Sequence, residues 1–147
     1  MTGVRLDHEV ITSRLSVLLD AVIVLEKHAD TRPEDLKRNV ELRWTIQHGL
    51  LTCIQVVLDV SNHLVSALAA PTPSDYRGSI LELGRIGVLP EQFANSIAPM
   101  AGLRNVIVHE YTSVDLEIIV AVLKDELEAF REFARYVRTF LEAEERP

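Results

Sequence analysis

Apolar side chains recur every three or four positions along most of the chain, which is the spacing of helices that bury one face. The first such run predicts a helix from about Asp7 to His28, with Asp7 as its N-cap. The segment 31–34, Thr-Arg-Pro-Glu, has the pattern of a capping box with proline in the first turn. It predicts the start of a second, long helix that continues to about Ala69.

Proline and glycine divide the next part of the chain into shorter helices. A helix is predicted over about 75–85, ended near Gly84 or Gly87. Another starts at 89–91, Leu-Pro-Glu, and is interrupted or kinked by Pro99, which lacks a backbone donor and clashes with the preceding turn.

The last apolar run predicts a final helix capped by Thr112 or Ser113, followed by a charged, solvated tail. Its core positions share helical spacing: Leu116, Ile119, Leu123, Leu127, Phe130, Val137 and Phe140. The 147 residues fit one domain. The prediction is therefore a single all-α domain over 1–147, an up-and-down bundle of about five helices with a long second helix.

The second helix is almost free of charge, because Asp59 is the only Asp, Glu, Lys or Arg between Trp44 and Ser74. Apolar residues on two of its flanks favour burial on both sides and predict a homodimer built on this helix, with Leu58 as an interface position. The remaining arc is a polar stripe: His48, Thr52, Gln55, Asp59, Asn62, His63 and Ser66. The stripe fits either an ordinary wetted face or the wall of a functional cleft, which Asp59, Asn62 and His63 would line.

Composition excludes several classes of protein and of site. The chain has one cysteine, Cys53, inside an apolar helical pattern, so we expect a core thiol and a reducing, cytoplasmic setting. No signal peptide, membrane span, zinc spacing or glycine-rich phosphate loop is recognised, and neither a metal nor a cofactor is expected. The net charge of −7 disfavours general nucleic-acid binding, DNA included. Any RNA contact must therefore be local, or the partner is a protein.

The stretch 104–111, Arg-Asn-Val-Ile-Val-His-Glu-Tyr, carries the strongest chemical signal. A guanidinium holds a phosphate by charge-assisted bonds, an imidazole moves a proton near neutral pH, and a phenol orients or donates. The alternative is a helix C-terminus at which His109 interacts with the dipole and Tyr111 packs its ring on the next helix. Both interpretations fit the spacing alone.

Helical geometry constrains how the motif can act. If 100–108 is helical, Asn105 and His109 share one face, while Arg104 is rotated by about 140° from His109. Arg104 and His109 then converge only in a groove between helices, or where the helix ends. Gly102, next to the Pro99 kink, either lets a ligand or another backbone approach Arg104 or serves as a packing notch.

The spelling R-x4-H-x-Y, with asparagine after the arginine, resembles the motif of the HEPN superfamily, most closely the small HepT-type toxins. The resemblance covers nearly the whole chain and implies an all-helical, HEPN-like body with a long second helix. It implies metal-independent RNA cleavage at a dimer cleft. Arg104 would bind the scissile phosphate, His109 would act as general acid or base and Asn105 would orient the site.

The same resemblance implies control by a cognate minimal nucleotidyltransferase antitoxin. Tyr111 completes the motif and would be either the site of adenylate attachment or a support for the active site. Proteins similar to this one also suggest a second function, a non-catalytic HEPN module whose role is to bind a nucleotidyltransferase. The acidic balance of the chain, −7, favours that alternative.

Overall fold

The computed structural model describes residues 6–68, 73–108 and 113–145, with the backbone alone for 113–115. These ranges are helical and contain no strand, so the predicted all-α class is confirmed. They form eight helices: α1 (His8–Glu26), α2 (Pro33–Arg38), α3 (Val40–Ala67), α4 (Tyr76–Arg85), α5 (Glu91–Ile97), α6 (Met100–Val108), α7 (Ser113–Asp125) and α8 (Leu127–Glu145).

Eight helices replace the predicted five because three of the predicted helices are divided. Pro99 separates α5 from α6, as its missing donor led us to expect. Asn39 separates α2 from α3 by adopting an extended backbone, and its side chain accepts from the Leu42 amide at 3.0 Å. Glu126 makes a one-residue bend between α7 and α8, across which the i to i−4 bonds continue. The two last breaks were not predicted.

Helix starts follow local capping chemistry, with one correction. Asp7 caps α1 as predicted, because its carboxylate accepts from the Val10 amide at 3.0 Å. The predicted capping box at 31–34 is displaced by one residue. Arg32 is the N-cap of α2, and Asp35 accepts from the Arg32 amide at 3.0 Å.

The predicted stop after 75–85 lies at Gly87. This residue has φ 86°, a conformation that favours glycine, and α4 ends just before it. The Val88 amide then donates to the Leu83 carbonyl at 3.0 Å, which closes the end of the helix in the manner of a Schellman motif.

Helix α3 lies at the centre of the domain and packs against α1, α4 and α6, with further contacts to α2, α7 and α8. Both of its apolar flanks are therefore buried by its own chain. Leu58, which we predicted at a dimer interface, is wholly buried in the core of one protomer, so that assignment is wrong. By length and composition alone α3 could cross a membrane, yet 56% of its most apolar window is buried inside the protein. Its lack of charge is that of a core helix.

Candidate phosphate-binding site at the junction of α3 and α6

Arg104 lies on the side of α6 that packs against α3, and its side chain is half-buried. Its Nε donates to Oε1 of Gln55 on α3, at 2.7 Å. Gln55 belongs to the polar stripe of α3, so Arg104 of the motif is bonded directly to that stripe.

A second hydrogen bond fixes the orientation of the Gln55 amide. Its Nε2 donates to Oδ1 of Asp59, one turn further along α3, at 2.8 Å. An ionised carboxylate accepts and cannot donate, so the amide nitrogen must face Asp59 and the amide oxygen must face Arg104. Asp59, Gln55 and Arg104 therefore form a chain of hydrogen bonds that holds the guanidinium in one orientation.

This arrangement leaves the outer edge of the guanidinium available. Among the described residues, the two terminal nitrogens of Arg104 make no hydrogen bond, and no carboxylate lies within ion-pair distance of them. A guanidinium held at Nε presents its terminal N–H groups as a fork that matches two phosphate oxygens. Within the described ranges, no salt bridge has to break before this guanidinium binds an oxyanion.

The other two stripe residues predicted to line the cleft lie elsewhere. Asn62 accepts a hydrogen bond from the Ser79 hydroxyl, which ties α3 to α4. Nε2 of His63 accepts from the Asp7 amide at 3.2 Å, which ties α3 to the start of α1. Neither contacts Arg104. His63 and Asp59 also line a pocket of about 200 Å³ between α1 and α3.

The remaining motif residues flank the end of α6. Asn105 is exposed on α6 and makes no side-chain hydrogen bond within the described ranges. His109 and Tyr111 fall in 109–112, outside the described residues, so their roles stay predictions. Since 100–108 is helical as assumed, Arg104 faces α3 while Asn105 points away from it.

A groove of about 280 Å³ lies beside the last turn of α6. It is held together by a hydrogen bond from Nε2 of Gln47 to the Ile107 carbonyl, at 3.2 Å. The described residues that line it come from α3 and α6: Trp44, Gln47, His48, Leu51, Ile107 and Val108.

Two residues of this region were not predicted as site residues. Gln55 stood in the polar stripe, and its spacing of four from Asp59 is the signal that pairs side chains on a helix. Trp44 is exposed although large and apolar, and only the fold reveals that exposure. Cys53, in contrast, is buried as predicted, and burial raises its thiol pKa to about 12.

Comparison with known proteins places the chain in a family. Residues 18–137 match the family described as ribonuclease HepT-like. A tRNA nuclease HepT of Aphanizomenon flos-aquae is 25% identical over 132 residues, 90% of either chain. An mRNA nuclease HepT of Shewanella oneidensis is 26% identical over 102 residues, 69% of this chain and 77% of the relative.

A solved structure shares the fold. It is the tri-AMPylated HEPN toxin of Shewanella oneidensis in complex with its MNT antitoxin, with a TM-score of 0.78 and 21% identity, covering 90% of this chain and 99% of that one. The family match spans the central helix, the Asp59–Gln55–Arg104 chain and the motif that follows it. This chain therefore belongs to the HepT-like ribonuclease family.

Proposed function

We propose that the protein is the toxin of a toxin–antitoxin pair and acts as a metal-independent endoribonuclease. The observation that carries this proposal is the Arg104 guanidinium, held at Nε by Gln55 with its terminal nitrogens available. Family membership and the two related RNA nucleases support RNA as the substrate.

The chemistry needs only groups of the motif and of the RNA itself. His109 takes the proton of a ribose 2′-hydroxyl, whose oxygen attacks the adjacent phosphorus. The bond from phosphorus to the 5′-oxygen breaks, and that oxygen receives a proton from the protonated His109 or from water. Arg104 binds the phosphate oxygens as negative charge develops on them, and Asn105 orients the site. The products are a 2′,3′-cyclic phosphate and a 5′-hydroxyl.

Substitution of the motif tests this proposal. Arg104→Ala and His109→Ala should each lower cleavage by about 10²- to 10⁴-fold and abolish toxicity on induced expression. Arg85→Ala is a matched control, since Arg85 is an exposed arginine on α4 whose guanidinium is bonded to Glu82 and lies outside the motif. Cleavage should persist in excess chelator. Full activity of the His109 variant, or loss of activity on chelation, would refute the mechanism.

Control by a cognate minimal nucleotidyltransferase antitoxin is the second part of the proposal. It is supported by the AMPylated state and the MNT partner of the Shewanella toxin that shares this fold. Tyr111 is the proposed acceptor of adenylate, because a phosphodiester placed near Arg104 would occupy the contacts that RNA needs. Incubation with the transferase and ATP should add adenylate to the peptide containing Tyr111, and Tyr111→Phe should prevent it. Neutralisation without modification would indicate control by binding alone.

A cytoplasmic homodimer completes the proposal. Since Leu58 and its neighbours are core residues, the support for self-association now comes from exposed side chains on α1. Val10, Val17 and Val24 are 48%, 47% and 41% exposed and, seven residues apart, form one stripe on that helix. Sedimentation should detect a dimer that Val17→Lys dissociates. A wild-type monomer at micromolar concentration would exclude it.

A non-catalytic module that binds a nucleotidyltransferase is the alternative function. The net charge of −7 favours it, because the overall field of the protein repels RNA. The two functions separate in one comparison. A module would bind the transferase without cleaving any RNA, and Arg104→Ala would then change neither toxicity nor RNA stability.

A further inference from the structure

Trp44 is the only tryptophan of the sequence and, among the side chains that the structure describes, the most exposed large hydrophobic one, at 65%. It forms one wall of the groove of about 280 Å³ beside the end of α6. Large aromatic side chains are normally buried or engaged with a ligand, since exposing them forfeits their hydrophobic contribution. The exposed indole in this groove is therefore a candidate contact for a ligand.

The lining chemistry matches a nucleobase. Trp44 supplies a broad aromatic face, and His48 lies one turn further along the same side of α3. Gln47 also lines the groove, and its amide bonds to the Ile107 carbonyl, so it fixes the shape of the groove and is not offered to a ligand. A purely apolar pocket would suit a core-like protein contact, whereas neighbouring indole and imidazole rings suit a flat heterocycle.

The groove is also at the right distance from the phosphate site. Gln47 bonds α6 at Ile107, and Gln55 bonds α6 at Arg104. Trp44 lies eleven residues before Gln55, which is about 16 Å along the helix. A single strand that places one phosphate on Arg104 and extends over more than one nucleotide therefore brings a base to Trp44.

We infer that the groove between Trp44, His48 and the end of α6 is a base-binding subsite, in which a base of the strand held at Arg104 stacks on Trp44. This inference rests on the proposed ribonuclease function. It also explains how a protein of net charge −7 binds RNA. Stacking contributes affinity that does not depend on a positive field.

The single tryptophan provides a direct test. A short 2′-O-methyl oligoribonucleotide has no attacking hydroxyl, so it binds without being cleaved. Titration of the whole protein with it should quench Trp44 fluorescence saturably, whereas the matching abasic oligonucleotide should not. Equal quenching by the two, or none by either, would overturn the subsite.

Variants measured with a labelled form of the same oligonucleotide sharpen the test. Trp44→Leu should bind roughly 5- to 150-fold more weakly, the effect of losing one stacked base, and Trp44→Phe should recover most of the loss. Ile23→Ala is the control, since Ile23 is 56% exposed on α1 and does not line the groove. Unchanged affinity of Trp44→Leu refutes the proposal.

Two further readouts separate this inference from others. If the oligonucleotide quenches Trp44 but the protein cleaves no RNA, the base-binding subsite is supported and the ribonuclease function is refuted. If the protein cleaves RNA but Trp44 is not quenched, the ribonuclease function is supported and the subsite is refuted. Sedimentation and transferase binding are measured on the same variants. If Trp44→Leu instead disrupts the dimer or the complex with the transferase, Trp44 belongs to a protein interface and the base subsite is refuted.

Discussion

The two halves of α3 differ in exposure, although neither carries much charge: exposed side chains alternate with buried ones in the first half, and the second half has no exposed side chain. The first half presents Trp44 at 65% exposure, and nine residues later Cys53 is wholly buried. Cys53 and its neighbours avoid charge because α1 and α4 cover them. Around Trp44 the neutral side chains line an open groove. An uncharged helix therefore has two causes here, burial in one part and a surface suited to a ligand in another.

The boundary between the halves is where the candidate site lies. Gln55 in the buried half bonds to Arg104 of α6, and Asp59 orients the Gln55 amide. A rigid core is the appropriate support for a group that must meet a phosphate in one orientation. The first half of α3 therefore supplies an exposed surface for a ligand, and the buried half holds Arg104 in one orientation.

The largest contrast between the halves should appear in chemical reactivity. Burial raises the thiol pKa of Cys53 from 9.0 to about 12, which lowers its thiolate fraction near neutral pH about a thousandfold. Native protein should therefore react with a thiol reagent at least a thousandfold more slowly than unfolded protein, while iodide quenches Trp44 readily. Rapid labelling of native Cys53 would mean that the second half of α3 opens.

A truncation in each half should differ strongly in its effect on stability. Leu58→Ala removes a wholly buried side chain and should lower the free energy of unfolding by about 2–5 kcal/mol. Trp44→Ala removes a larger side chain from an exposed position and should cost less than about 1 kcal/mol. Urea unfolding measures both. Equal losses would contradict the assignment of Leu58 to the core and Trp44 to the surface.

The helical class, the cap at Asp7 and the stop at Gly87 were predictable because each depends on local chemistry. The break at Asn39 was missed, since the apolar spacing continues through it and only the cap geometry reveals it. The prediction that Leu58 lies at a dimer interface was wrong for a different reason. Periodicity identifies a face that requires burial, and it does not specify whether the same chain or a second copy covers that face.

The candidate site was predictable only in part. The motif named Arg104, since its residue types and spacing are a chemical signature. Gln55 holds Arg104 across 49 positions of sequence, and no local pattern contains such a contact. Asn62 and His63 share the stripe with Gln55, yet they bond to α4 and to the start of α1. Which polar residue of a stripe meets the site depends on which helix packs opposite it.

Breaking the hydrogen-bond chain that holds Arg104 should have an intermediate effect, and the effect should be on activity. Gln55→Ala removes the acceptor of the Arg104 Nε and should lower kcat/KM by about 10- to 150-fold, the range for a hydrogen bond to a charged group. Thr52→Ala, three residues earlier in the stripe, is the control. Both variants should keep the wild-type melting temperature within a few degrees.

Two substitutions at Asp59 distinguish positioning from a general structural role. Asp59→Leu removes the acceptor that orients the Gln55 amide and should lower kcat/KM less than Gln55→Ala does, with most of the change in KM. Asp59→Asn keeps a carbonyl oxygen that accepts from Nε2 of Gln55 and should recover most of the activity. If Asp59→Leu is fully active, Asp59 does not help to position Arg104.

The smallest expected effects concern two glycines, one in the first half of α3 and one in α6. A Cβ at Gly102 of α6 meets no described atom within 4 Å, whereas one at Gly49 of α3 meets Cδ2 of Leu25 at 2.7 Å. Gly102→Ala should therefore stabilise the protein by about 0.5–1 kcal/mol through helix propensity, and Gly49→Ala should destabilise it by about 1–3 kcal/mol.

Gly102 lies two residues before Arg104, about 200° around the helix, so it faces away from the phosphate site. Cleavage by Gly102→Ala should equal that of the wild type. A more stable but inactive Gly102→Ala protein would show instead that RNA or a second copy of the chain approaches α6 at this glycine, which is the role that the kink at Pro99 first suggested.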